Sequence, residues 1–139
     1  MGNPALFPLF YECKSTDVLV VHINPLSRAE VPKSAQDILD RINEISFNSS
    51  LMREMRAVAF VTKLIDDGTI PAGKMKRMLI HSIFADGFMQ SLGTTPKFNA
   101  DWEFLSHLKE IGRKQAGDWL EQSYDRLGVE STVDLGIYL

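Results

Sequence analysis

Apolar positions in this chain fall into two rhythms, and the rhythm changes where the secondary structure should change. Asp17 to Asn24 (DVLVVHIN) is a run of β-formers set between Lys14-Ser15-Thr16 and Asn24-Pro25, the boundaries of a short strand. It is apolar on both faces, which predicts an interior strand of a parallel sheet. From Ser34 the spacing lengthens. Ile38, Ile42 and Ile45 recur at helical intervals behind Ser34 and Asp37, an approximate capping box. The polar cluster within Phe47 to Ser50 predicts a break and a second helix over LMREMRAVAFVTKLIDDG. Leu51, Met55, Val58, Val61, Thr62 and Ile65 lie near one face of it, and Gly68 is its stop. Lys76 to Phe84 (KRMLIHSIF) is the second strand. Strand, long helical crossover and strand predict a parallel pair with a right-handed connection.

The flanks follow the same logic. Pro4 to Glu12 predicts a short helix, with Pro4 tolerated in a first turn whose amides need no partner. Ala85 to Ala100 is punctuated by Gly, Thr and Pro and predicts a loop with a short turn at Gly87 to Leu92. Asp101 is placed to cap a helix from Trp102 to about Leu127, with Leu105, Leu108, Gly112, Ala116, Trp119 and Leu127 as an apolar stripe and Gly128 at its end. The last eleven residues carry no clear period. No repeat or linker divides the chain, so residues 1–139 are read as one helix-rich α/β domain, with about two parallel strands between long helices.

Composition narrows the function classes. A chain of 139 residues can bury roughly two thirds of its unfolded surface in one core. Its net charge of −3 provides no general field for nucleic acid or anionic lipid. No apolar run reaches the length of a bilayer span. The single cysteine, Cys13, forms no internal disulfide, which suits a reducing compartment. Ala5 to Phe10 is too short and too broken by Pro8 for a secretory signal. Leu6 stands where a myristoylation start requires Ser or Thr, and the terminal GIYL has no prenylatable cysteine. A cytoplasmic location is the expectation.

Each candidate for chemistry in the sequence also has a plainer structural role. Gly68 to Met75 (GTIPAGKM) is one residue from a phosphate-binding loop. It fails that test because Met75 has no hydroxyl for magnesium, Pro71 removes an amide, and the loop follows a helix instead of a strand. His22 and His81 fall in the two strands and His107 on the final helix, with no metal-ligand spacing. The expectation is no metal and no cofactor. An enzyme using His22 or His81 would need them to converge with a carboxylate in a pocket. Cys13 is read as a small buried side chain, Asp66-Asp67 and Asp86 as turn and helix-end residues, and Lys74, Lys76 and Arg77 as a solvated strand entrance. Asn48-Ser49-Ser50 is read as a helix-capping segment. Trp102, Phe104, Trp119 and Tyr124 are read as packing.

Four stretches together resemble the C-terminal part of the patatin-like phospholipases, bacterial members in particular. They are GNPALFPLF at Gly2 to Phe10, DVLVVHINPL at Asp17 to Leu26, ISFNSSLMREMRAVAFVTKLID at Ile45 to Asp66 and FLSHLKEIGRKQAGDWL at Phe104 to Leu120. The resemblance covers nearly the whole chain. It implies a lipid acyl hydrolase that works by a Ser-Asp dyad, with the serine in G-x-S-x-G, the aspartate in D-G-[GA] and a Gly-rich loop of oxyanion donors. No such serine pentapeptide occurs here. Asp67-Gly68-Thr69 and Asp86-Gly87-Phe88 depart from the aspartate motif at its third position.

In that family an Asn-Pro segment follows the catalytic aspartate, and Asn3-Pro4 matches it. The resemblance therefore implies near-site backbone roles for Asn3 and Pro4 and catalytic groups upstream of Met1, with no catalytic residue among these 139. A patatin-like domain lacking its N-terminal half should leave a sheet edge and helix faces uncovered. Self-association, or pairing with the missing half or another partner chain, is the expected consequence. The alternative expectation is a non-enzymatic α/β interaction module.

Overall fold

The computed structural model describes residues 3, 5–28, 30–71, 73–92 and 99–139. The chain folds as α1 (Phe7–Glu12), β1 (Asp17–Val21), α2 (Ala35–Asp66), β2 (Leu79–Ile83), α3 (Asp86–Leu92) and α4 (Trp102–Ser123). Two short 3-10 segments follow, Tyr124–Arg126 and Leu135–Tyr138. This is a helix-rich α/β fold. β1 and β2 pair in parallel, with Asp17 opposite Leu79 and Val21 opposite Ile83.

α2 runs unbroken for 32 residues, where the sequence predicted two helices. The polar residues expected to break it have partners outside the helix ladder. Asn48 is buried and bonds to Asn3 and Pro25, while Ser50 Oγ donates to the Asn3 carbonyl. Ser49 Oγ turns back to the Ser46 carbonyl, a bond that a helix accommodates with slight bending. The predicted ends hold. Ser34 Oγ accepts the Asp37 amide and the Asp37 side chain accepts the Ser34 amide, a complete capping box. Gly68, at a φ of 72°, supplies the left-handed residue past the last turn.

One face of the sheet meets α2. Val18 and Ile80 pack with Leu51, Met55, Val58 and Ala59, and Leu6, Met78 and Tyr138 complete the core. Along α2 the buried positions run Glu44, Asn48, Leu51, Met55, Val58, Ala59 and Thr62, a stripe at helical spacing. Ile38, Ile42 and Ile45, which recur at helical intervals in the sequence, are exposed. Glu44 and Asn48 take the buried face in that half. Glu44 is held there by Arg28, whose Nε and Nη2 donate to both of its oxygens at 2.6 to 3.1 Å.

Coverage of the other sheet face is uneven. Leu79 and His81 of β2 are buried, and the Trp119 ring of α4 meets His81 edge-on at 5.9 Å. On β1 the same face is open, with Leu19 at 43%, Val21 at 64% and the following Ile23 at 64% exposure. The strand predicted as interior is thus an edge. The Thr16 carbonyl and the His22 amide both bond to β2, so in the alternation of a parallel ladder the odd-numbered residues of β1 aim their backbone groups outward. Asp17 satisfies its own pair through Ser15 Oγ. Among the described residues nothing pairs with those of Leu19 and Val21. The far edge of β2 is closed, since the Thr132 and Val133 amides donate to the Ile80 carbonyl and the Ile80 amide donates to Ser131 Oγ.

α4 is capped by Asp101, whose side chain accepts the Glu103 amide. It ends earlier than predicted, passing into the 3-10 turn at Tyr124–Arg126 before Gly128 at a φ of 72°. Its predicted apolar stripe is only partly covered, and Leu105 and Leu127 remain exposed. Trp102 and Tyr124 are exposed too, so the packing role expected of the aromatics falls to Trp119 and Phe104, both half-buried. α3 occupies the first part of the predicted loop and includes the predicted turn at Gly87 to Leu92; residues 93–98 of that loop lie outside the described residues.

Candidate functional site at the carboxyl end of the strands

In open α/β sheets ligands gather outside the carboxyl ends of the strands, and there the Asn3 segment is fastened. The Asn3 amide donates to the Phe47 carbonyl at 3.0 Å, and Asn3 Nδ2 donates to Asn48 Oδ1 at 2.9 Å. Asn48 Nδ2 in turn donates at 2.9 Å to the carbonyl of buried Pro25, four residues past β1. Asn48 therefore ties the start of the chain, α2 and the end of β1 together. Three residues on, the Leu6 amide donates to Glu54 Oε2 at 2.7 Å, so the segment tracks along α2 by one further turn and a half. Pro4, expected beside Asn3 in a near-site backbone role, lies outside the described residues.

Also at this end, His22 Nε2 lies 3.1 Å from Ser82 Oγ, and the His22 ring meets Phe84 edge-on. The pair was not foreseen because 60 residues separate its members; only the register, with Val20 opposite Ser82, brings them together. Ser82 lines a cavity of about 260 Å³ with Asp118, Trp119 and Gln122 of α4. A hydroxyl beside an imidazole is the start of a nucleophile and base arrangement.

At the opposite end of the sheet, Asp17 gathers His81 and the C-terminal segment. Asp17 Oδ1 accepts the Gly128 amide at 2.7 Å and lies 3.0 Å from His81 Nε2, while His81 Nδ1 lies 3.2 Å from Thr132 Oγ1. A neutral imidazole protonated at Nε2 satisfies both contacts, with the Thr132 hydroxyl donating to Nδ1. The Gly128 amide, followed by the His81 hydrogen bond, holds the Asp17 carboxyl below its ordinary value near 3.8 against the opposing effect of burial. His81 meets a carboxylate, as an enzymatic role requires, but it is 0% exposed. No substrate reaches it, and its role is to lock the closing segment to the sheet.

The remaining candidates separate. Cys13, expected to be buried, is exposed; it precedes β1 whereas His22 follows it, so the two do not meet. Asp66 pairs with Arg77 at 2.9 and 3.1 Å, and Lys76 Nζ donates to the Cys13 and Ser15 carbonyls. The strand entrance is therefore tied down at two of its three cations. The described residues of Gly68 to Met75 lie between α2 and β2, with Gly73 at a φ of 79° and the Lys74 amide bonded to the Pro71 carbonyl, as a connecting segment requires. The His107 ring meets Phe88 edge-on. Among the described residues no group of three His, Cys, Asp or Glu side chains is placed to hold a metal ion. No helix among them is long and apolar enough to cross a membrane. No family model matches this chain, nor does any curated protein or solved structure.

Proposed function

We propose that this chain is the C-terminal portion of a patatin-like lipid acyl hydrolase, serving as scaffold for a Ser-Asp dyad carried by sequence outside these 139 residues. The observation that carries the reading is the clamp on Asn3. The segment that resembles the stretch after the catalytic aspartate is bonded through Asn48 to the carboxyl end of β1, the end of a parallel sheet where active sites form. The outer edge of β1, unpaired among the described residues and with Leu19, Val21 and Ile23 exposed beside it, is where further strands of a larger sheet would add. In this reading the chain alone turns over no ester. Ester cleavage belongs to the assembled domain: the serine oxygen attacks the acyl carbonyl as the aspartate takes its proton, the alcohol departs with that proton as the ester bond breaks, and water then attacks the acyl-serine to release the acid and restore the serine.

The test compares the 139-residue chain with a version extended by its in-frame upstream sequence, using a short-chain chromogenic ester. The extended protein is expected to hydrolyse it and to lose turnover when the G-x-S-x-G serine is replaced. Turnover by the 139-residue chain that one substitution abolishes would contradict the proposal.

A second reading, a non-enzymatic interaction module, is favoured by the exposed Ile38, Ile42 and Ile45 on α2. That face lies apart from the β1 edge in sequence and would bind another chain whether or not chemistry is present. Concentration-dependent association, measured by light scattering together with absence of turnover in the extended protein, selects it.

A further inference from the structure

α1, the second half of α2 and the turn before β2 enclose a groove of about 580 Å³, within the size range of small-molecule sites. It lies at the amino end of the strands, away from the Asn48 clamp, because Lys14 precedes β1 and Met78 precedes β2. Most of its lining is apolar, with Phe7 and Phe10 contributed by α1, Val58 and Val61 by α2, and Met78 just before β2. Its rim is cationic. Lys14, Lys74 and Lys76 all line it.

The charges here are segregated against the trend of the molecule. The chain as a whole carries −3, yet three ammonium groups share this groove with one carboxylate, Glu54, which is occupied by the Leu6 amide. Lys76 is positioned by two backbone carbonyls, at 2.6 and 3.0 Å, and meets no carboxylate among the described residues. Among the described residues Lys14 and Lys74 form no ion pair, whereas the neighbouring Arg77 is neutralised by Asp66. An apolar interior under unneutralised ammonium groups recognises a ligand of matching polarity.

We propose that this groove binds a small apolar anion, a carboxylate or phosphate monoester head on an apolar body, with the body against Phe7, Phe10 and Val61 and the head at the lysine rim. The site stands independently of the acyl-hydrolase reading, since it uses neither the Asn48 clamp nor any group upstream of Met1.

Displacement of the fluorescent apolar anion 1-anilinonaphthalene-8-sulfonate from the full chain tests it, with decanoate, decyl phosphate and decanol as competitors. The two anions are expected to compete about tenfold more strongly than decanol, and the Lys14→Ala/Lys74→Ala variant to erase that advantage while leaving decanol unchanged. Whichever anion competes better identifies the head group. Across a series of shorter carboxylates, affinity should rise about fourfold per added methylene until the groove is filled. Ala57→Trp, an exposed helix position lining the groove, is expected to abolish displacement by all three. Equal competition by decanol and decanoate, unchanged anion binding in the lysine variant, or full binding by Ala57→Trp overturns the proposal.

Discussion

Replacing Asn48 by alanine isolates the contact on which the placement of the Asn3 segment depends. The side chain is buried, accepts from Asn3 Nδ2 and donates to the Pro25 carbonyl, both at 2.9 Å. Each hydrogen bond contributes about 1 kcal/mol net, and the buried Pro25 carbonyl left unmet adds roughly another 1 kcal/mol. Alanine is the better helix former by about 0.6 kcal/mol, so the expected loss is about 2 kcal/mol. With an m value near 2 kcal/mol/M for a chain of this size, the urea midpoint should fall by about 1 M, and the thermal midpoint by about 8 °C. A double-mutant cycle with Asn3→Ala should return a coupling of about 1 kcal/mol, since Asn3 keeps its backbone bond to Phe47 in either case. Ser49→Ala, which removes only an exposed bond within the helix, serves as the control and should shift stability by less than about 0.5 kcal/mol. An Asn48→Ala variant as stable as the parent, or a vanishing coupling with Asn3, would refute the clamp.

Other parts of the fold give equally direct expectations. Because Asp17 has its folded pKa lowered, its stabilisation is complete above the unfolded value near 3.8 and is lost as pH falls through the lower folded value. Asp17→Asn should therefore show a shallower fall in urea midpoint below about pH 4 than the parent, and parallel acid limbs would contradict the link to Gly128 and His81. Met55→Ala, in the centre of the core at 2% exposure, should cost about 2 to 5 kcal/mol in urea unfolding. A loss under about 1 kcal/mol would place the core elsewhere. In the acyl-hydrolase reading any self-association runs through the open β1 edge, so Leu19→Lys with Val21→Lys should leave folding within about 1 kcal/mol and remove it in light scattering, whereas association through the Ile38, Ile42 and Ile45 face would persist. Association unaffected by both changes would move the contact off the β1 edge.

The features legible in the sequence were those that local chemistry decides. The Ser34 and Asp37 capping box, the Asp101 cap, the left-handed stops at Gly68 and Gly128 and the parallel strand pair each depend on residues close together or on one run of β-formers. The misreadings arose where distant partners decide. Asn48 and Ser50 look like helix breakers until Asn3 and Pro25 are brought to them. Ile38, Ile42 and Ile45 have the correct period for a buried face, but periodicity defines a face without saying what covers it. The continuous apolar run of β1 reads as an interior strand, and the described sheet supplies only one neighbour. Of the site, Asn3 is legible through resemblance, whereas its partner Asn48 carries only the local signature of a capping segment. The Asp17 and His81 pair, 64 residues apart, has no local signature at all.

The measurement that bears most directly on the central claim is the coding DNA immediately upstream of Met1. An open frame continuous with this chain is expected there, encoding G-x-S-x-G and, directly before the Asn3-Pro4 segment, an Asp-Gly-Gly or Asp-Gly-Ala motif. A stop codon in frame just ahead of Met1, or an upstream frame without those two motifs, would contradict that claim.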